Sequence, residues 1–250
     1  MHFIDLFSEK ANLYASARPT YPEELFAYLA SVAPARDRAW DCATGNGQAA
    51  RDLVRHFAHV DATDASAAQI ANATPCERVY YSVQPAEHTE FEDDSFDVVC
   101  VAQALHWFDY GRFFPEVHRV LKLGGIFAAW IYDWMNVSEE IDRQLKVSLL
   151  APVKPYWARE NTLAWGGYKD VPFPFEPLDV PKIPMRFEWD LFQMMAYVHT
   201  WSAVRRCMNE TGNDFFERAG EELTAVWGDP SEKKTVTMRF HVIAGRHATT

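Results

Sequence analysis

The chain has 250 residues, 24 Lys and Arg against 35 Asp and Glu, a formal net charge of −11, and 48% hydrophobic residues. That is the composition of a folded globular protein with apolar mass for a sizeable core, one domain of roughly 200 to 250 residues. An anionic chain whose longest basic runs are Arg205-Arg206 and Lys233-Lys234 does not suit a phosphate backbone, so no nucleic-acid partner is expected. The apolar charge-free stretches 123–132 and 98–108 are about half of the ~20 residues that a membrane-spanning helix needs. Asp5 and Glu9 stand where a signal peptide would need an unbroken apolar core. No membrane partner and a cytoplasmic location are therefore expected. Cys42, Cys76, Cys100 and Cys207 form no C-x-x-C pair and have no histidines at zinc spacing, so no metal site is expected.

In chain order, the first readable element is a helix opened by Thr20-Tyr-Pro-Glu23. This fits a capping box with Pro22 in the first turn and a buried stripe of Leu25, Leu29, Val32 and Ala33. Strands follow at 38–43, 58–64, 79–82, 96–102 and 126–131. Between them lie helical stripes made by Ala50, Leu53, Val54 and Phe57 and by Phe113, Val117, Val120 and Leu121. Strands alternating with helices imply a parallel sheet covered on both faces, and the nearly continuous apolar run Phe96–Ala102 suits a strand buried on both sides. After Ser138, the residues Ile141, Leu145, Leu149 and Leu150 predict another helix. Prolines 152, 155, 172, 174, 177, 181 and 184 then break regular structure. Leu191–Val204 and Phe215–Trp227 read as helical, and Thr235–Ala244 as a strand that rejoins the sheet.

The strongest local signal is Trp40-Asp-Cys-Ala-Thr-Gly-Asn-Gly-Gln48, at the junction of the first core strand with its helix. Gly45 and Gly47 allow close backbone approach, Ala43 permits a tight turn, and Asp41 lies just ahead within reach of a ligand at the carboxyl end of the sheet. A second acid raises the signal. Asp64 ends the next strand about 20 residues on, where a carboxylate accepts both hydroxyls of a ribose. Asp61 competes for that role but falls inside the strand. The pair points to a nucleoside-containing ligand.

These segments resemble the class I S-adenosylmethionine-dependent methyltransferases, the methyltransferase type 11 group, and within it the small-molecule branch that includes trans-aconitate methyltransferase. Asp41-Cys-Ala-Thr-Gly-Asn-Gly47 matches the cofactor loop, Asp64-Ala-Ser66 the ribose acid with its following helix start, and Gln84-Pro-Ala-Glu87 the residues flanking the adenine. Ala102-Gln-Ala-Leu-His-Trp-Phe108 and Leu121-Lys-Leu-Gly-Gly125 match the segments after the fourth strand and into the fifth, and Tyr14–Pro22 looks like the amino-terminal lid segment. The resemblance implies an α/β, Rossmann-like sheet of seven mostly parallel strands with helices on both faces, an amino-terminal lid helix, and a helical cap inserted before the last strands. It implies one methyltransferase domain over 1–250: lid 1–35, cofactor-binding core 36–135, substrate cap 136–230 and terminal strand 231–250. One position departs from the pattern. Ala43 stands where the family most often has glycine, and its methyl group is compatible with binding if the backbone there keeps ordinary angles.

The resemblance further implies S-adenosylmethionine as cofactor, S-adenosylhomocysteine as product, and a small organic acceptor, most simply the carboxylate oxygen of an organic acid. The implied cofactor contacts are Tyr14, Arg18, Tyr21, Asp41, Ala43, Gly45, Gly47, Asp64, Ala65, Ala86, Glu87, Gln103, Ala104 and Trp107. Tyr14, Tyr21 and Trp107 are expected around the sulfonium, whose charge aromatic faces stabilise, and Arg18 against a carboxylate. His106, just past a strand end, is the residue able to act as a general base at neutral pH. The proline-broken segment 151–187 and the helix around 197–204 are expected to cover the acceptor, with Trp165, Tyr168, Trp201, Arg205 and Arg206 as contacts. A monomer or homodimer is expected. The alternatives are an O- or N-methyltransferase of another small metabolite, an NAD-dependent Rossmann oxidoreductase using Gly45-x-Gly47 with Ala50 at the third glycine position, and a binding module without turnover.

Overall fold

The apolar runs of the core pair as strands in the computed structural model of the protein, which describes residues 18–248. The strands are β1 (Arg38–Cys42), β2 (His59–Asp64), β3 (Val79–Val83), β4 (Phe96–Ala102), β5 (Leu121–Asn136), β6 (Glu176–Pro177), β7 (Met185–Trp189) and β8 (Lys234–Arg246). They form a sheet in the order β3-β2-β1-β4-β5-β8-β6, with β7 also on β8. The first five run parallel, whereas β6 and β7 lie antiparallel to β8. This is the mostly parallel α/β sheet that the alternation predicts, with eight strands among the described residues where the resemblance implies seven. The short β6 and β7 escape the pattern because a two-residue edge and a strand reached through prolines leave little periodicity to read. Between β1 and β4 the strand order reverses, the switch point beside which ligands of open α/β sheets bind.

Successive strand residues face opposite sides, so β4 feeds two cores. Val98 and Cys100 pack with Ala128 and Trp130 under Leu25, Phe26 and Leu29 of the helix Glu23–Val32 and under Ala50 and Leu53 of the helix Gln48–Leu53. Val99 and Val101 pack with Phe127 and Ala129 under Phe113, Val117 and Val120 of the helix Tyr110–Val120 and against Phe175. Burial on both faces is why this strand reads as a continuous apolar run.

Three local expectations are corrected. The helix at Glu23 has Pro22 as its N-cap and no side-chain cap, so Thr20 and Glu23 form no capping box. Glu23 instead lies 2.7 Å from His56 Nε2 and 3.6 Å from Arg55. Val32 and Ala33 are only partly covered, and Phe26 and Ala30 join Leu25 and Leu29 in the buried stripe. Leu121 begins β5 rather than ending a helix, because Gly124-Gly125 lets the strand start early and pair with His247, whose N–H donates to Gly125 at 2.8 Å.

The chain forms two compact units. One takes Tyr21–Asp133, Thr162–Ile183 and the carboxyl-terminal end from Phe240, and holds the glycine turn and both cores. The other takes Trp134–Asn161 and Pro184–Arg239, with helices Glu139–Leu145, Leu191–His199, Ser202–Thr211 and Asp214–Trp227. Ser148, in a π-helical turn after Leu145, donates to Glu222 at 2.6 Å, and Asp190 caps Leu191–His199 through a capping box with Gln193. The region expected as a cap over 136–230 is therefore discontinuous, since Thr162–Ile183 belongs with the sheet and contributes β6. Among the described residues no helix is long and apolar enough to cross a membrane, and no group of His, Cys, Asp and Glu is arranged to hold a metal ion.

Candidate functional site

Where β1 ends, the chain turns sharply through Ala43-Thr-Gly-Asn-Gly47. Ala43 adopts φ +56°, in the left-handed region, so the ordinary backbone angles on which its compatibility with the cofactor depends are not found. Thr44 holds the bend: its N–H donates to the Thr63 carbonyl at 2.8 Å and its hydroxyl donates to Asp41 at 2.5 Å. Forcing an L-residue with a Cβ into this region costs about 1–2 kcal/mol, which the surrounding bonds offset. Gly45 (φ +59°) would admit a Cβ without a clash, the nearest atom being Gln69 Oε1 in ordinary contact at 3.9 Å. Gly47 (φ +84°) is different. A Cβ there would collide with the Tyr81 phenol, whose hydroxyl donates to the Thr74 carbonyl at 3.0 Å. Of the two glycines, Gly45 is uncrowded and Gly47 is covered.

Asp41 is fully buried beneath this turn, with Cys100 Sγ 3.8 Å from its other oxygen. Burial pushes its carboxyl up to about 7, reinforced by the charge of Asp64 and opposed by the bonds from Thr44, Ala50 and Cys100. It braces the turn from below. Asp64, at the end of β2, is half-buried and accepts from Gly45 N–H at 2.9 Å and from Ser66 N–H at 2.8 Å. Ser66 caps the short helix Ala67–Ala71. Asp61 is occupied elsewhere: Arg38 Nε lies 2.7 Å and His59 Nε2 3.0 Å from its carboxylate.

At the end of the neighbouring strand β4, Gln103 is also left-handed at φ +62°, and its Nε2 is a buried donor with no hydrogen-bond partner among the described residues. Ala104 leads into a helical turn, Leu105–Trp107. His106 is buried, with Nδ1 3.3 Å from the Tyr168 hydroxyl and its ring 4.7 Å from that of Trp107. Trp107 itself is 51% exposed. Tyr168 is buried at φ +62°, and burial raises its phenol well above the usual range.

The remaining expected contacts scatter. Tyr14 lies outside the described residues. Arg18 and Ala65 are exposed. Tyr21 sits in an aromatic cluster, 5.5 Å from Trp130, 6.2 Å from Tyr132 and 6.5 Å from Phe240 between ring centres. Ala86 is buried, and Glu87 accepts from Asp109 N–H at 3.3 Å. Of the acceptor candidates, Tyr168 and Trp165 belong to the sheet-bearing unit. Trp201 packs with Trp134 and Trp157 in the other unit, while Arg205 and Arg206 donate to the carbonyls of Thr200 and Tyr156. Sequence reading missed Thr44 and Tyr81, and it named Gln103 without the left-handed backbone found there. Only the small residues on either side of Thr44 hinted that a hydroxyl there would be needed.

Residues 40–129 match the family described as a methyltransferase domain. A protein of Dictyostelium discoideum assigned as a methyltransferase is 29% identical over 245 residues, covering 96% of this chain and 93% of its own length. The solved structure of a protein assigned as a type II methyltransferase from Anaeromyxobacter dehalogenans is 38% identical, with TM-score 0.87 over 93% of this chain and 99% of that one. A malonyl-[acyl-carrier protein] O-methyltransferase of Dechloromonas aromatica is 34% identical over 101 residues, 40% of this chain and 37% of its own length. With likeness running through both units, and with the glycine and acid turns at the carboxyl ends of β1 and β2, the chain belongs to the class I S-adenosylmethionine-dependent methyltransferases.

Proposed function

We propose that the chain moves a methyl group from S-adenosylmethionine to an oxygen of a small organic acceptor, releasing S-adenosylhomocysteine. The observation that carries this reading is the bond from Gly45 N–H to Asp64, which joins the glycine turn and the acid turn into one unit at the switch point of the sheet. The residues present fit the donor. Gly45 has no atom nearer than 3.9 Å to where a Cβ would stand, each Asp64 oxygen keeps acceptor capacity beyond its backbone bond, and Gln103 Nε2 is a buried donor in want of an acceptor. Asp64 would take the ribose hydroxyls, Gly45 the close backbone approach, and Gln103 a polar group of the methionine end. When bound, the sulfonium supplies an electrophilic methyl carbon. The chain's own work is to hold the acceptor atom in line with that carbon and to exclude water.

An oxygen acceptor is supported by the Dechloromonas relative, whose name states O-methylation. His106, buried and facing a phenol hydroxyl, suits the lining of the acceptor pocket better than the removal of a proton. Calorimetric titration with S-adenosylhomocysteine and, separately, with NAD tests the reading. The thioether nucleoside should bind and the dinucleotide should not; the reverse result would sink it.

A further inference from the structure

An acid–histidine pair, Asp133 and His241, stands at the same end of the sheet as the glycine turn. The last register pair of β4 and β5 is Ala102 with Trp130, so Asp133 lies on the part of β5 that runs past the carboxyl end of β4. Ligands of open α/β sheets bind at this rim. The Asp133 side chain is 0% exposed, and its Oδ2 lies 3.3 Å from Nε2 of His241 on β8, whose side chain is 29% exposed. A carboxylate shut away from water orders the imidazole beside it. With Nε2–H directed at Asp133, the ring's lone pair is left on Nδ1.

Gly167 makes room for that ring. A Cβ on Gly167 would stand 2.6 Å from His241 Nδ1 and 2.8 Å from Cγ, and the residue lies at φ +67°. The next residue, Tyr168, is also left-handed and carries the hydroxyl that faces His106. Two consecutive left-handed residues therefore set one backbone turn against His241 and one phenol against His106. Backbone strain of this kind persists where the surroundings over-determine it, and it clusters at sites.

We infer that His241, oriented by Asp133, is the base that takes the acceptor's proton, and that the acceptor is accordingly a hydroxyl compound, an alcohol or phenol. This rests on the methyl-transfer reading above. His241 suits the task better than His106 because it is the more open of the two and because its partner is an anion that stabilises the imidazolium formed. A carboxylate acceptor is ionised already and needs no base. In the step, the acceptor O–H bond breaks and its proton passes to Nδ1. The oxygen's electron pair forms the new bond to the methyl carbon as the carbon–sulfur pair returns to sulfur, and the imidazolium then gives its proton to water. Asp133 is the positioning residue.

The test uses the full chain and three readouts. First, calorimetry with S-adenosylhomocysteine is run on the wild type and on His241→Asn; absence of binding to the wild type overturns the methyl-transfer reading itself. Second, histidine ¹⁵N spectra should show His241 as the Nε2–H tautomer, with Asp133→Asn shifting it toward Nδ1–H; a wild-type Nδ1–H tautomer overturns the pairing. Third, transfer of labelled methyl is measured to phenol, catechol and benzyl alcohol, with trans-aconitate as the carboxylate probe. His241→Asn should lower kcat on the hydroxyl probe about a hundredfold or more, with KM and nucleoside affinity within about threefold and partial rescue by added imidazole. Turnover of that probe within threefold of wild type, labelling of trans-aconitate alone, or nucleoside binding with no hydroxyl probe labelled each overturns the inference. If His241→Asn does not fold, Asp133→Asn is read in its place and should lose at least tenfold in kcat.

Discussion

The carboxylate of Asp64 accepts a hydrogen bond from the backbone N–H of Gly45 at 2.9 Å, so the acid of the second turn is also the brace of the first. Removing it should do two things at once. Asp64→Ala should weaken S-adenosylhomocysteine binding by about 2–3 kcal/mol, through the loss of charge-assisted bonds to the ribose and of the tie that holds Gly45. Asp64→Asn, which keeps one acceptor oxygen, should lose less. Calorimetry on both variants checks the order, and equal affinities for wild type and alanine variant would reject the role.

Ala43 holds a left-handed backbone that glycine adopts without penalty. Ala43→Gly should therefore gain up to about 1 kcal/mol, the relief of strain exceeding the extra freedom of glycine in the unfolded chain. Gly47→Ala should go the other way and lose more than about 2 kcal/mol, since φ is positive and the Tyr81 ring fills the Cβ site. Urea unfolding of the two variants gives both signs.

Burial raises the carboxyl of Asp41 to about 7. The fold thus favours the protonated form, and the stability it contributes is complete below about pH 4 and declines as pH rises through about 7. Asp41→Asn removes that titration. The variant should gain on the wild type between pH 5 and pH 8, which denaturant midpoints at the two pH values would detect.

Glu116 has the opposite sign. Although burial raises it, two bonds from Thr89 and a double contact with Arg119 pull its carboxyl down to about 2. Its stabilisation is present above about pH 4.5 and is lost as pH falls toward 2. Glu116→Gln should cost about 2 kcal/mol at pH 7, and the gap to the wild type should narrow in acid. Thermal melts at pH 7 and pH 3 check this.

Much of the frame is legible in the chain because its signals are local. Val98 to Val101 read as a doubly buried strand since every neighbour is apolar, and Asp64 reads as a ligand-facing acid since it ends a strand at a fixed distance from two glycines. The capping box at Thr20 failed for the same reason: the pattern is local, but His56 and Arg55, more than thirty positions away, claim Glu23. Gly45 and Gly47 look alike in sequence. They differ only because Tyr81 comes from another strand to cover one of them.

By itself the sequence determined the alternation of strand and helix, the parallel core, and the glycine and acid turns at the ends of β1 and β2, all set by residues close together along the chain. Tertiary structure alone decided which acids serve the site and which serve the fold. Asp61 goes to Arg38, Asp97 to Lys122 and two backbone N–H groups, and Asp133 to a histidine 108 positions away. The physical reason is that a carboxylate's role depends on its burial and on the donor it meets, and both are supplied by segments that only the folded sheet brings together.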